Sequence, residues 1–357
     1  MSGPQRGPVE FWRFGGTPQP ATETGRLAAS FEALGWDGLV VGEDHGVMPD
    51  PYVTLALAAA ATTRLKLRTG VSVPLRHPFV AANAIATLHA ASGGRTLFSF
   101  GRGDGGLVSV GLPPIGLKAF ETYVVNVQRY LLRQEVKVGD VSSTLARLFE
   151  YDQSLSVPKP PIDISATGPK VTEIAARQAD SITFAVGSDV ERLRARVERV
   201  RAAREAAGLD PTTFRVGCYV PAAVAVDGDR ASARAVIRGA VLRHARFSAF
   251  EGRLLGDVDR ADQAAVLAAT DATRDHLRRR PKIADFAAAN VLDDDFVDRF
   301  AIVGTPEECA TRFRSIIATG VDRIVVLTRV PTTDPGEENS ARLAEQVLPL
   351  TRQLTNT

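Results

Sequence analysis

The stretch "LFSFGRGDGG", Leu97 to Gly106, decides the fold. Gly101, Gly103 and Gly106 spell G-x-G-x-x-G. That is the dinucleotide fingerprint of a Rossmann unit when a helix opens on the glycines and an acidic residue closes the next strand about 20 residues on. Neither condition is met. "LVSVGLPPIG" follows, and Pro113 and Pro114 stop any helix running out of the turn. Glu121, at the right distance, falls within a helical pattern, and the motif ends the fourth apolar strand rather than the first. The better reading is a glycine turn at the C-terminal end of a barrel strand, where active sites of barrels lie. There backbone N–H groups approach an anion or a ring, and Asp104 projects into the barrel mouth. The lesser alternative, taking the motif alone, is a tight surface turn with a solvated Arg–Asp pair.

Outward from this turn, one unit recurs: a short β-branched apolar run, then a longer segment with helical spacing. The expected strands are "VEFWRFGG" from Val9, "GLVVGEDH" from Gly38, "LKLRTGVS" from Leu65, "RTLFSFGRG" from Arg95, "PIDISATG" from Pro161, "SITFAVG" from Ser181, "FRVGCYVPAAVAV" from Phe214 and "DRIVVLTRV" from Asp322. Between them, Leu27, Phe31 and Leu34 share one helix face, as do Phe120, Val124, Val127 and Leu131. A charged helix ends near Gly208, a C′ glycine. "TPEECATRFRSIIATG" opens on a capping box, with Thr305 as N-cap and Glu308 at N3. His77, before Pro78, reads as the N-cap of the third helix.

Eight strands alternating with helices imply parallel pairing and an α/β (β/α)8 TIM barrel. Residues 1–357 read as one such domain, with insertions at about 135–160 and 228–300. The second insertion falls before the eighth βα unit closes. It is expected to be helical and to cover the active-site end, with the first insertion nearby.

Bulk properties narrow the function. A net charge of +2 argues against a dedicated nucleic-acid binder. The two cysteines, Cys218 and Cys309, form neither a disulfide framework nor a zinc spacing, and no metal is expected. "MSGPQRGPVE" has no apolar h-region, and "VTLALAAAA" is about half a membrane span, so a cytoplasmic protein without a membrane partner is expected.

Four strand ends carry unusual residues: Glu43-Asp44-His45, Thr69-Gly70-Val71, "GRGD" and "ATGPK". With "VGTPEE", this set resembles the bacterial luciferase-like superfamily of flavin- and deazaflavin-dependent oxidoreductases. The similarity is strongest to its coenzyme-F420-dependent branch and spans about residues 9–226 and 301–330. The resemblance implies a cofactor, F420 or alternatively FMN, with its ring in the barrel mouth. A cis peptide after strand three, here Gly70–Val71, would back that ring. Asp44, Thr69, Gly70, Val71, Gly101, Arg102, Gly103, Ala166, Thr167 and Gly168 would bind the cofactor, the last six around its tail. His45 or Asp104 would handle the proton, and Trp12 and Phe14 would line the substrate side. Gly105 stands where relatives commonly place Ser.

The implied activity is hydride transfer between the deazaflavin and a small-molecule or natural-product substrate, with reduction the expected direction. The alternatives are an FMN-dependent two-component monooxygenase and a barrel that has lost catalysis. The resemblance also admits a homodimer and a partner enzyme that reduces the F420 or flavin.

Overall fold

The computed structural model describes residues 7–15, 20–44, 48–103, 106–155, 157–250, 253–254, 262–268, 292–328 and 335–353. Eight strands form the barrel: β1 (Glu10–Phe14), β2 (Gly38–Val41), β3 (Lys66–Thr69), β4 (Thr96–Phe100), β5 (Ile162–Ala166), β6 (Ser181–Phe184), β7 (Arg215–Val224) and β8 (Arg323–Leu327). Each is parallel to its neighbours, and the β8–β1 and β6–β7 pairings close the ring. All eight expected strands are present. Their hydrophobic runs suit the position: a parallel strand is covered on both faces.

Alternation sorts each strand into two faces. Leu39, Leu67, Phe98, Ile164, Ile182, Cys218 and Ile324 point outward into the core shared with the helices. Trp12, Val40, Leu97, Tyr219 and Val325 belong to a second cluster inside the barrel.

The helices start where the sequence signals start them. Asp50 caps the helix Pro51–Ala61 by accepting from Tyr52 and Val53 N–H. His77 caps the helix Pro78–Ala91, its Nδ1 accepting from Phe79 N–H at 3.3 Å. Thr305 and Glu308 complete the expected capping box on the helix Pro306–Ile317. Gly208, at φ +71°, follows the C-cap of the helix Val190–Ala206. The third glycine of the opening motif, Gly106, begins a helix of only four residues, Gly106–Ser109. The next helix, Leu117–Leu131, starts beyond the two prolines.

Strand β7 outruns the ring, and its last residues pair with a short parallel strand, Ile302–Gly304. Between the two come the helix Arg230–Ala245, a helical stretch over 262–268 and the helix Asp294–Phe300. Arg234 ties the first of these to the last through Asp298 at 2.6 Å. Ile237 and Val241 pack with Phe296, Val297 and Phe300 in the cluster that also holds Tyr219 and Ala185. The insertion therefore shares a core with the C-terminal end of the barrel; its described parts are mostly helical as expected, but Ala249–Phe250 and Arg253–Leu254 pair as a short antiparallel hairpin that the sequence reading did not anticipate.

The other insertion lies elsewhere. Residues Val136–Val138 and Val141–Ser143 form a small antiparallel hairpin, followed by the helix Ala146–Tyr151. Pro158 and Lys159 line one hollow with His89, at the end of the helix Pro78–Ala91, and Lys159 pairs with Asp180, just before β6. These are N-terminal strand ends. The expectation that residues 135–160 sit near the substrate side is thus corrected. The helix before them runs antiparallel to β4 and delivers the chain to the opposite end.

Candidate active site

A cleft open to solvent occupies the C-terminal end of the barrel. Its walls come from the ends of β1 to β7 and from the insertion. Phe14, Asp44, Gly70, Val71, Gly101, Arg102, Gly103, Ala166 and Thr167, all expected at the site, line it together. A larger hollow opens at the N-terminal end, where Glu10 meets Lys66 at 2.6 Å and Arg215 at 3.0 Å. Burial opposes the charge of Glu10, but Arg215 and Lys66 hold its carboxyl down to about 2. That end of a barrel serves stability.

Strand β3 continues past Thr69 into the site. Gly70 N–H donates to Val41 O at 2.6 Å, the Gly70–Val71 peptide is cis, and Ser72 N–H donates to Ser99 O at 2.7 Å. A Cβ at Gly70 would lie 2.0 Å from Val40 Cγ1 and 3.2 Å from the Tyr219 hydroxyl. Only glycine lets the chain lie that close to the facing strand. Gly103, at φ +92°, turns the chain after β4.

Strand β2 ends at Val41, and alternation ends with it. Glu43 and Asp44 therefore both line the cleft. Glu43 Oε2 accepts from Val73 N–H at 2.7 Å, stitching the β2 end to the β3 extension. Asp44 Oδ1 is buried without a hydrogen-bond donor among the described residues. An acceptor in that state points to a donor on whatever fills the cleft.

The sequence readings need several corrections. Trp12 does not line the cleft. Its indole sits inside the barrel with Nε1 donating to Glu10 Oε2 at 2.9 Å, two residues toward the N-terminal end from Phe14. Thr69 is buried behind the wall, its hydroxyl donating to Ser99 O at 3.1 Å. Gly168 is the N-cap of the helix Pro169–Gln178 and stands outside the lining. His45 and Asp104 lie outside the described residues.

Other lining residues were missed. Ser165 and Tyr219 point up from β5 and β7, and Arg243, His244, Arg246 and Phe247 come from the insertion. His244 packs against Phe14, Tyr219 and Phe247, with ring centroids 5.6 to 6.2 Å apart. Burial, helped by the charges of Arg243 and Arg246, pushes its imidazole down to about 3, so it is neutral near pH 7. Burial also lowers the Arg243 guanidinium, which Asp44 across the cleft partly restores. The inward alternation of Ser165 and Tyr219 was a usable signal. Nothing local marked the insertion residues.

Fold and site together define a barrel enzyme with one wall suited to a planar cofactor and another built by its own insertion. The luciferase-like monooxygenase family model matches residues 8–323, and the chain belongs to that family of oxidoreductases. The 5,10-methylenetetrahydromethanopterin reductase of Methanolobus tindarius is 24% identical over 333 residues, 91% of this chain and 94% of that protein. An F420-dependent secondary alcohol dehydrogenase, solved with an F420–acetone adduct, superposes with a TM-score of 0.72 at 16% identity, over 97% of this chain and 99% of that one. The FMN complex of the oxygenating constituent of 3,6-diketocamphane monooxygenase from Pseudomonas putida superposes with a TM-score of 0.64 at 15% identity, over 96% and 98%. Among the described residues no cluster could hold a metal ion, and no helix is long and apolar enough to cross a membrane.

Proposed function

We propose that this protein is an F420-dependent oxidoreductase, working as a single barrel domain with two insertions. It moves a hydride between the deazaflavin and a small organic substrate. The observation that carries the reading is the cleft wall made by Gly70–Val71, Gly101 to Gly103, Ala166 and Thr167, with Asp44 Oδ1, which has no donor among the described residues, in the same lining. The first relatives named above, reductase and dehydrogenase, use or bind F420 by their own names only in the second case, and both match this chain almost end to end.

These residues fit a ring with a phosphorylated tail. The flat strip at Gly70–Val71 offers a face with little side chain. Asp44 accepts a ring N–H or hydroxyl. Thr167, in the cleft wall just before the helix Pro169–Gln178, suits a phosphate. When bound, the cofactor carries the hydride. His45 and Asp104, from the sequence, are the groups proposed to hold or move the accompanying proton. Phe14, Tyr219, His244 and Phe247 exclude water from the substrate side.

The family's monooxygenase members favour FMN as the second reading. Titrating the purified protein with F420 and with FMN, followed by fluorescence, decides between them. F420 binding at micromolar concentration with weak FMN binding supports the proposal. Tight FMN binding with no F420 binding overturns it.

A further inference from the structure

One layer beneath the cleft, the barrel holds a charged cluster that the cofactor reading does not use. Arg68, Asp163 and Arg323 come from β3, β5 and β8, and all are buried. Each of β3, β5 and β6 places one residue here and the next inward residue in the cleft wall: Arg68 then Gly70, Asp163 then Ser165, Thr183 then Ala185.

The charges do not balance. Asp163 Oδ2 accepts from Arg68 Nη2 at 2.6 Å and from the Ser99 hydroxyl at 2.7 Å. Its Oδ1 accepts from Arg323 Nη2 at 2.8 Å, from Ser181 at 2.6 Å and from Thr183 at 3.0 Å. Five donors leave the carboxylate no free lone pair of consequence. Arg68 Nε and Nη1 and Arg323 Nε remain buried without acceptors among the described residues. Burial opposes ionisation of Asp163, yet the two guanidinium groups hold it down to about 2. Arg323, lowered by burial to about 10, is still protonated near neutrality. The cluster therefore carries one surplus positive charge. An uncompensated buried charge is costly, and one aspartate with Arg323 alone would have been neutral.

The surplus is coupled to the cleft through two hydroxyl-bearing side chains of its wall. Arg68 lies under the Tyr219 ring, 5.4 Å from its centroid. Ser165 Oγ is 3.4 Å from Arg68 Nη2 and 3.3 Å from the Tyr219 hydroxyl. We propose that Arg68 makes the cleft floor a fixed positive potential that selects the anionic protonation state of the ring bound above it. For a reduced deazaflavin or flavin, that means release of the pyrimidine-ring proton to solvent while the electron pair stays on the ring. The inference rests on the cofactor reading above.

The test compares wild type with Arg68→Met and Arg68→Lys. Each protein is loaded with F420 or FMN, reduced with dithionite without oxygen, and titrated with pH while ring absorbance is followed. Glu43, Asp44, Arg102, Arg243, His244 and Arg246 face the ring, and Glu10, Lys66 and Arg215 lie below Arg323. All are common to the three proteins, so differences report position 68. In wild type the bound ring should ionise about one pH unit or more below the free cofactor, a tenfold change in the equilibrium. Arg68→Lys should keep most of that shift, and Arg68→Met should lose it while still binding cofactor. Urea unfolding without cofactor should find Arg68→Met as stable as wild type or more so, since Asp163 and Arg323 remain as a neutral pair. Equal titrations in wild type and Arg68→Met overturn the inference and leave the cofactor reading intact. So does an Arg68→Met protein that fails to fold, or a wild-type ring that ionises like the free one. A wild-type protein that binds neither cofactor overturns both readings.

Discussion

Tyr219 of the barrel and His244 of the insertion pack ring to ring, with centroids 5.8 Å apart and planes tilted by 42°. This contact joins the seventh strand to the helix that follows it and forms one wall of the cleft. The imidazole is buried, with Nδ1 3.0 Å from Ala240 O of its own helix.

Because His244 is held neutral, it links folding to pH. Its folded pKa, about 3, lies below the ordinary histidine value near 6.5. Between those values the unfolded chain binds a proton that the folded chain refuses. Stability is therefore full above about pH 6.5 and falls as pH drops toward 3. Chemical unfolding measured from pH 8 to 4 should give a declining free energy. His244→Gln should flatten that decline, because glutamine does not titrate. An unchanged slope would show that other groups set the acid limb. Glu10 and Asp163 act in a lower window, below their ordinary carboxylate range, since both are held near 2.

Gly70→Ala should damage fold and site together. The new Cβ would meet Val40 Cγ1 at 2.0 Å, and Val40 is fully buried inside the barrel. Overpacking of this kind costs about 1–3 kcal/mol. Thermal unfolding should move down, and F420 affinity should fall more than for Gly116→Ala, where the added Cβ has open space. Equal effects at the two positions would contradict this account of the cleft wall.

Asn339 clamps the C-terminal segment to the barrel. Its Nδ2 donates to Ala222 O and Thr328 O, both at 3.0 Å, and its Oδ1 accepts from Val224 N–H at 3.0 Å. Asn339→Ala leaves three buried backbone groups without this partner, each costing about 1–3 kcal/mol. Asn339→Asp should be nearly as harmful, since it keeps the acceptor and loses both donated bonds. Denaturant midpoints of the three proteins check this order.

If His45 transfers the proton, His45→Ala should lower turnover by about 10²–10⁴-fold with little change in cofactor affinity. His45→Asn keeps hydrogen bonding without proton transfer and should be nearly as slow. Restoration by asparagine alone would make His45 an orienting residue and shift the proton role to Asp104. Steady-state rates and F420 titrations separate these outcomes.

The amino-acid sequence by itself determined the eight strands, the helix caps at His77 and Thr305, and the glycine turns of the rim. These are local signals, since β-branched runs, a capping box or a required glycine act within a few residues. The cleft-lining role of Phe14, Gly70, Val71 and Gly101 to Gly103 was legible through resemblance, because those residues sit at strand ends. Only the tertiary structure decided how deep each inward residue lies. Period-two alternation puts Trp12 and Phe14 on the same face, but closure of the barrel sends the first into the interior and the second to the mouth. It also brought Arg68 to Asp163, 95 residues apart, and carried Arg243 and His244 of the insertion over the rim. Those contacts follow from ring closure and from the shared core of insertion and barrel, which no short stretch of the chain encodes.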